Sequence, residues 1–170
     1  MDVNVLKSLH QMLTLKKITY LLTGTTGLAY FGIKIQEPND IDILIIPKDD
    51  FDMQRIINFI YTEKKGRYIP IEEKYSSLNV STTIYEFMFE GIKINAFIGS
   101  YMNIDESIHS YTGAFREKGR YIEVNAFANM QPLKICSVRD MIIAKLKLKR
   151  KKDVSFAKSL ICNIIDFIDY

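Results

Sequence analysis

The apolar positions of the first third of the chain switch between the spacing of a helix and that of a strand. Apolar residues at 5, 6, 9, 12 and 13 predict a helix over Val3–Leu15, whereas the β-branched run Ile41–Ile46 predicts a strand ended by Pro47. A helix with apolar residues at 53, 56, 57 and 60 follows, with Asp49 or Asp50 as its N-cap. The pattern also predicts a short buried strand and, after Gly24-Thr25-Thr26, a short helix: Thr19–Thr23 and Gly27–Gly32.

Strand-like runs dominate the next part of the chain, and two helices follow. Val80–Phe89 and Ile92–Ile98 flank Glu90-Gly91, a two-residue hairpin signal, whereas the polar residues 101–112 stay unassigned. The remaining predictions are the strands Arg67–Ile71 and Tyr121–Phe127 and the helices Val138–Leu148 and Val154–Ile168. This order predicts an α+β fold, a mixed β-sheet flanked by helices. We expect a single domain over residues 1–170, with the C-terminal helices of 138–168 packed on it.

Composition narrows the class of protein. A chain of 170 residues with 48% hydrophobic and 25% charged residues is typical of one soluble globular domain and excludes disorder as its main state. No apolar run approaches the roughly 20 residues of a membrane span, and the N-terminus carries no signal-peptide core. Two cysteines and two histidines argue against a disulfide framework or a zinc centre. We therefore expect a cytoplasmic protein without a membrane partner.

Charge is distributed unevenly along the chain. Nine basic and two acidic residues lie between positions 134 and 158, so the rest of a chain of net charge +3 is acidic. A basic segment on an acidic body favours an anionic ligand. Within this segment, Lys145 has Met141 and Ile142 one turn before it, which predicts that it faces inward and needs an anionic partner such as a carboxylate or a phosphate.

Two carboxylates stand at the start of the Ile41–Ile46 run, in Asn39-Asp40-Ile41-Asp42. Side chains of a strand alternate between faces, so Asp40 and Asp42 point the same way. Mg²⁺ is commonly held by one or two carboxylates together with substrate phosphates. The pattern therefore predicts a metal site, with two solvated acids at a strand end as the alternative.

A second local feature precedes the carboxylates. Gly24-Thr25 follows a strand and begins a helix, a setting in which the backbone can approach a phosphate and helix N–H groups favour an anion. A tight strand-to-helix turn with a threonine N-cap is the alternative. The sequence lacks a P-loop.

Together these motifs resemble the DNA polymerase β-like nucleotidyltransferase superfamily. Within it, they look most like the small bacterial nucleotidyltransferase-like proteins related to toxin–antitoxin and antibiotic-modifying enzymes. The resemblance is carried by the glycine turn after Leu22-Thr23, by Asp40-Ile41-Asp42, and by a helix whose acidic and basic residues have the family's spacing: Asp140, Lys145, Arg150, Lys152 and Asp153.

The resemblance implies a specific chemistry. Relatives transfer a nucleotidyl group from a nucleoside triphosphate to a hydroxyl, with two Mg²⁺ ions held by three carboxylates. Carried over, Asp40 and Asp42 would hold Mg²⁺ (or Mn²⁺), Gly24 and Thr25 would contact the triphosphate, and Lys145 would pair with phosphate oxygens.

The chain departs from the family where the third carboxylate is expected, because Asn95 occupies that position. An asparagine cannot act as a base, and its neutral oxygen weakens a second metal site. If Glu90-Gly91 is a two-residue turn, however, Glu86 lies opposite Asn95 on the same face. We hypothesise that Glu86 supplies the missing carboxylate, with a plain Glu–Asn hydrogen bond as the alternative. The length also leaves little room for the helical substrate domain of many relatives.

Three functions follow as expectations. The first is metal-dependent nucleotidyl transfer to an unknown hydroxyl acceptor, which is a small molecule, a protein or an RNA end. The second, favoured by Asn95, is a catalytically inactive module of the same fold that senses nucleotides or binds a protein partner. The third is nucleic-acid binding through the basic segment, in which Lys149 to Lys152 matter and the aspartates do not.

Overall fold

The computed structural model describes residues 2–33, 38–70, 80–104, 107–110, 121–147 and 155–156. Four helices and eight strands lie within them. The helices are α1 (Val3–Leu15), α2 (Gly24–Tyr30), α3 (Asp50–Thr62) and α4 (Val138–Lys147). The strands are β1 (Tyr20–Thr23), β2 (Asp40–Ile45), β3 (Arg67–Ile69), β4 (Val80–Phe89), β5 (Ile92–Ile104), β6 (Ser107–Ser110), β7 (Tyr121–Val124) and β8 (Leu133–Cys136).

All eight strands belong to one mixed sheet of order β3-β4-β5-β2-β1-β8-β7, with β6 paired to β5 off this path. β2 pairs with β5 and β1 pairs with β8 in parallel, whereas the other pairs are antiparallel. The α+β class with a mixed sheet flanked by helices is therefore confirmed. No helix within the described ranges is long and apolar enough to cross a membrane.

Helices α1 and α3 cover one face of the sheet. In α1, His10 bonds to Tyr20 of β1, and in α3, Tyr61 packs edge-on against Tyr85 of β4. Tyr20 shares a face with Leu22, two residues further along β1. Leu22 is paired with Ile43, Ile43 with Ala96, and Ala96 with Tyr85, so both contacts lie on the same face of the sheet. The opposite face of the same strands carries the polar side chains described in the next subsection.

Most predicted elements are confirmed, several with shifted ends. α1 has the predicted bounds, and Asp49 is the N-cap of α3, since its side chain accepts from the Asp52 backbone N–H at 2.7 Å. Glu90 and Gly91 both have positive φ, as the predicted two-residue hairpin requires. The other strands that the sequence predicted begin or end one to six residues from the predicted bounds: β1, β2, β3, β5 and β7.

One prediction needs correction, two strands were not predicted, and one predicted helix lies almost entirely outside the described residues. The second helix begins at Gly24 rather than Gly27, because Gly24, at φ +64°, turns the chain from β1 into α2 without a loop. The strands β6 and β8 were not predicted, since each has only four residues and β6 is mostly polar. Of the predicted helix Val154–Ile168, only residues 155 and 156 are described, and both are helical.

His10 is a buried polar link between α1, β1 and the segment before β8. Its Nδ1 lies 2.7 Å from the Tyr20 hydroxyl, and its Nε2 lies 2.8 Å from the carbonyl oxygen of Gln131. That carbonyl can only accept, so Nε2 carries a proton. Burial, and secondarily the nearby Tyr30, raises the pKa of Tyr20, so its hydroxyl stays protonated and donates to Nδ1. The role of His10 is therefore structural.

We expect His10→Leu to lower the free energy of unfolding by about 1–3 kcal/mol, because it leaves the Tyr20 hydroxyl and the Gln131 carbonyl without their partner. Urea denaturation measures this change. Adding Tyr20→Phe should restore part of the lost stability, since it removes one of the two polar groups that His10→Leu leaves without a hydrogen-bond partner. Strictly additive losses in the double variant would contradict this account.

Candidate functional site

A polar row crosses five strands on the face opposite α1 and α3. Strand register places Thr23 beside Asp42, Asp42 beside Asn95, Asn95 beside Glu86, and Glu86 beside Arg67. Directly paired residues share a face, so these side chains form one continuous line. The line brings Asp42, Asn95 and Glu86, which the sequence singled out, into neighbouring positions.

The centre of this row is the amide of Asn95. It is 1% exposed, and its Nδ2 donates to Asp40 Oδ2 at 3.0 Å and to Asp42 Oδ1 at 2.9 Å. One NH₂ group therefore links both carboxylates, which would otherwise repel each other. The parallel register of β2 with β5 makes this possible, since Asp40 pairs with Lys93 and Asp42 with Asn95.

The turn between β1 and α2 closes the site beside Asp42. Gly24 has φ +64°, and a Cβ at this position would overlap Asp42 Oδ2. Thr26 is buried and donates its hydroxyl to the Asp40 carbonyl at 3.0 Å, which ties α2 to the start of β2. The segment forms a tight strand-to-helix turn with Thr23 as its N-cap residue, although the Thr23 side chain makes no capping hydrogen bond. A phosphate-binding role of Gly24-Thr25 stays a prediction.

Lys145 reaches the same region from α4. Its Nζ lies 3.3 Å from Thr25 Oγ1 and 5.0 Å from the ring centre of Phe156. Its partly buried position agrees with the inward face that the sequence predicted. α4 is held close because Met141 is buried, with its sulfur 2.7 Å from where a Cβ of Gly27 would lie. Gly24, Thr25 and Lys145 therefore meet next to the two aspartates.

Glu86 occupies the predicted register opposite Asn95, but its carboxylate engages two cations. Glu86 Oε1 lies 3.0 Å from a guanidinium nitrogen of Arg67, and Glu86 Oε2 lies 3.8 Å from Lys93 Nζ. Among the described residues, no group of three or more His, Cys, Asp or Glu side chains is placed to hold a metal ion. A role of Glu86 as a third metal ligand stays a prediction.

Sequence reasoning missed Lys93, Arg67 and Thr26. Lys93 Nζ lies 3.8 Å from Asp40 Oδ2 as well as from Glu86, so its ammonium stands between two carboxylates. The signal for Lys93 was available, because it precedes Asn95 by two residues and therefore shares its face. Arg67 required the pairing of β3 with β4, and Thr26 required the start of α2, neither of which periodicity alone supplies.

The donor set fits one Mg²⁺ better than two. Asp40 and Asp42 present carboxylates side by side on one face of the sheet, near the start of β2, and Mg²⁺ often takes one or two carboxylates plus substrate phosphates. A pair of ions needs a further anionic bridge, and at that position Asn95 turns N–H groups toward the carboxylates. The residues are thus suited to a single hard cation together with an anionic ligand.

No protein-family model matches the sequence, and no curated protein matches it either. Among solved structures, the fold is similar to that of TM1012 from Thermotoga maritima, provisionally assigned as a nucleotidyltransferase, at 21% identity and a TM-score of 0.61. That match covers 95% of this chain and 92% of the other. The antibiotic-resistance factor ANT(2'')-Ia, an antibiotic nucleotidyltransferase, matches at 11% identity and a TM-score of 0.52, over 94% of this chain and 83% of the other. The chain therefore has a nucleotidyltransferase-like fold.

We expect Gly24→Ala to weaken Mn²⁺ binding at Asp40 and Asp42 by about tenfold or more, because the new methyl group displaces the Asp42 carboxylate. Calorimetric titration with Mn²⁺ measures the loss. Gly32→Ala is the matched control, since Gly32 has a similar φ of +73° but open space around it. Equal Mn²⁺ binding by the two variants would contradict the importance of the close approach.

We expect Glu86→Gln to leave Mn²⁺ binding nearly unchanged, because the Glu86 carboxylate is directed at Arg67 and Lys93. The same titration, run beside the parent protein, measures it. A loss of binding that persists when Lys93→Met is added would instead support Glu86 as the third carboxylate ligand, since Lys93 can then no longer move onto Asp40.

Proposed function

We propose that this protein is a metal-dependent nucleotidyltransferase that moves a nucleoside monophosphate from a nucleoside triphosphate to a hydroxyl acceptor. The observation that carries the proposal is the meeting of Asp40 and Asp42 with Gly24, Thr25 and Lys145 on one face of the sheet. The shared fold of the structural neighbours supports the same class of reaction.

Each group has a distinct task in this reaction. Asp40 and Asp42 would hold Mg²⁺ or Mn²⁺, which when bound neutralises triphosphate charge. Lys145 and the Thr25 hydroxyl, 3.3 Å apart, would bind phosphate oxygens as a cation and a neutral donor. Gly24 leaves space for the Asp42 carboxylate beside the backbone. Catalysis would then come from positioning and charge neutralisation: the acceptor oxygen bonds to the α-phosphorus, the bond from the α-phosphorus to pyrophosphate breaks, and the hydroxyl proton passes to solvent water.

The acceptor is open among three classes: a small hydroxylated molecule, a protein side chain or an RNA end. A protein partner that presents the acceptor or completes the site belongs to the proposal as well. We propose a cytoplasmic setting, because two cysteines in 170 residues are too few for the disulfide framework of a protein from an oxidising compartment.

A specific observation favours a second candidate, an inactive module that binds nucleotides or a partner. Asn95 provides no base for an acceptor hydroxyl, and its amide already satisfies one oxygen of each aspartate. Such a module would bind a nucleoside triphosphate through Thr25 and Lys145 without turnover. The third candidate, nucleic-acid binding, depends on Lys149 to Lys152, which lie outside the described residues.

Incubation with each labelled nucleoside triphosphate, Mg²⁺ and a cell extract tests these candidates. We expect a labelled product that disappears, by at least about a hundredfold, in Asp40→Asn and Asp42→Asn, because the cation is lost. Asp50→Asn is the matched control, since Asp50 is an exposed aspartate in the first turn of α3.

The absence of product with every triphosphate, together with retained triphosphate binding, would replace the enzyme with the inactive module. Binding to nucleic acid that falls steeply with salt and ignores both aspartate variants would support the third candidate instead.

A further inference from the structure

Asn95 occupies the position where the resemblance implies a third carboxylate, and Lys93 lies on the same face two residues before it. Asn95 supplies hydrogen-bond donors there, and Lys93 supplies a positive charge. Asn95 Nδ2 contacts Asp40 Oδ2 and Asp42 Oδ1 at 3.0 and 2.9 Å. Lys93 Nζ lies 3.8 Å from the same Asp40 Oδ2. A cation shared between the two aspartates at this point would compete with both groups.

Burial distinguishes the two groups. Asn95 is 1% exposed and lies between β2 and β4, so its amide is held in place by the strands on both sides. The Lys93 side chain is 40% exposed and is balanced between Asp40 and Glu86, so it can move when the local charge changes. The Asn95 amide is thus a fixed donor, and the Lys93 ammonium is an adjustable charge.

We propose that Asp40 and Asp42 bind a single divalent cation, and that the Lys93 ammonium, with the Asn95 amide, supplies the positive charge that a second ion would bring. Lys93 is accordingly a positioning residue, which sets how strongly Asp40 attracts the cation. The proposal rests on the proposed function for its consequence in nucleotidyl transfer, but the number of bound cations is independent of turnover.

The first test restores the carboxylate. Asn95→Asp places three carboxylates side by side, so we expect its Tm to fall without metal and to rise with Mn²⁺ by more than that of the parent. Electron paramagnetic resonance titration should count one bound Mn²⁺ in the parent and two in Asn95→Asp. Two ions in the parent, or only one in the variant, would overturn the proposal.

The second test does not depend on the folding of a buried charge variant. Lys93→Met removes an ammonium beside Asp40, so we expect Mn²⁺ affinity to rise about three- to tenfold. Lys134→Met is the matched control, because Lys134 is a strand lysine of similar exposure whose Nζ lies 3.6 Å from Glu123. Unchanged affinity in Lys93→Met, or an equal rise in Lys134→Met, would also overturn it.

The outcomes separate this proposal from the enzyme itself. One Mn²⁺ in the parent and two in Asn95→Asp, without nucleotidyl transfer in any extract, would contradict the enzyme and leave the single-cation site standing. Two Mn²⁺ in the parent, with nucleotidyl transfer, would leave the enzyme and remove the single-cation site.

Discussion

The parallel pairing of β2 with β5 is the contact on which the candidate site depends. These strands are far apart in sequence, and their register alone decides that Asn95 stands beside Asp42 and Lys93 beside Asp40. A shift by one residue would turn Asn95 and Lys93 to the opposite face, toward α1 and α3, and leave the aspartates facing apolar side chains. The buried apolar partners on that other face, Ile43 and Ala96, oppose such a shift.

The elements that the sequence predicted correctly depend on the spacing and turn chemistry of neighbouring residues. The helix α1 and the hairpin at Glu90-Gly91 follow from spacing and turn type, which depend only on neighbouring residues. The same holds for Asp40 and Asp42, which share a face because a strand has a period of two. The opposition of Glu86 and Asn95 also followed from the hairpin, and the structure has this register.

The sequence did not predict which side chains contact Glu86 and Asn95 in the candidate site. The role of Glu86 depended on Arg67, which reaches it only through the pairing of β3 with β4. Predicting that Asn95 donates hydrogen bonds to two carboxylates would have required the β2–β5 register. These two strands pair in the sheet but do not follow each other in the chain. The strand β8 was missed because it is short, although its pairing with β1 extends the sheet on the far side.

The close fit of Gly24 against Asp42 has a consequence for how the site responds to a ligand. With one oxygen against the backbone of the β1–α2 turn and the other bonded to Asn95, the Asp42 carboxylate has little freedom to rotate. A carboxylate fixed in advance loses little conformational entropy when it acquires a cation, and little reorganisation accompanies binding. In the proposed metal site, a carboxylate with so little freedom would favour cations of one ionic radius and coordination distance.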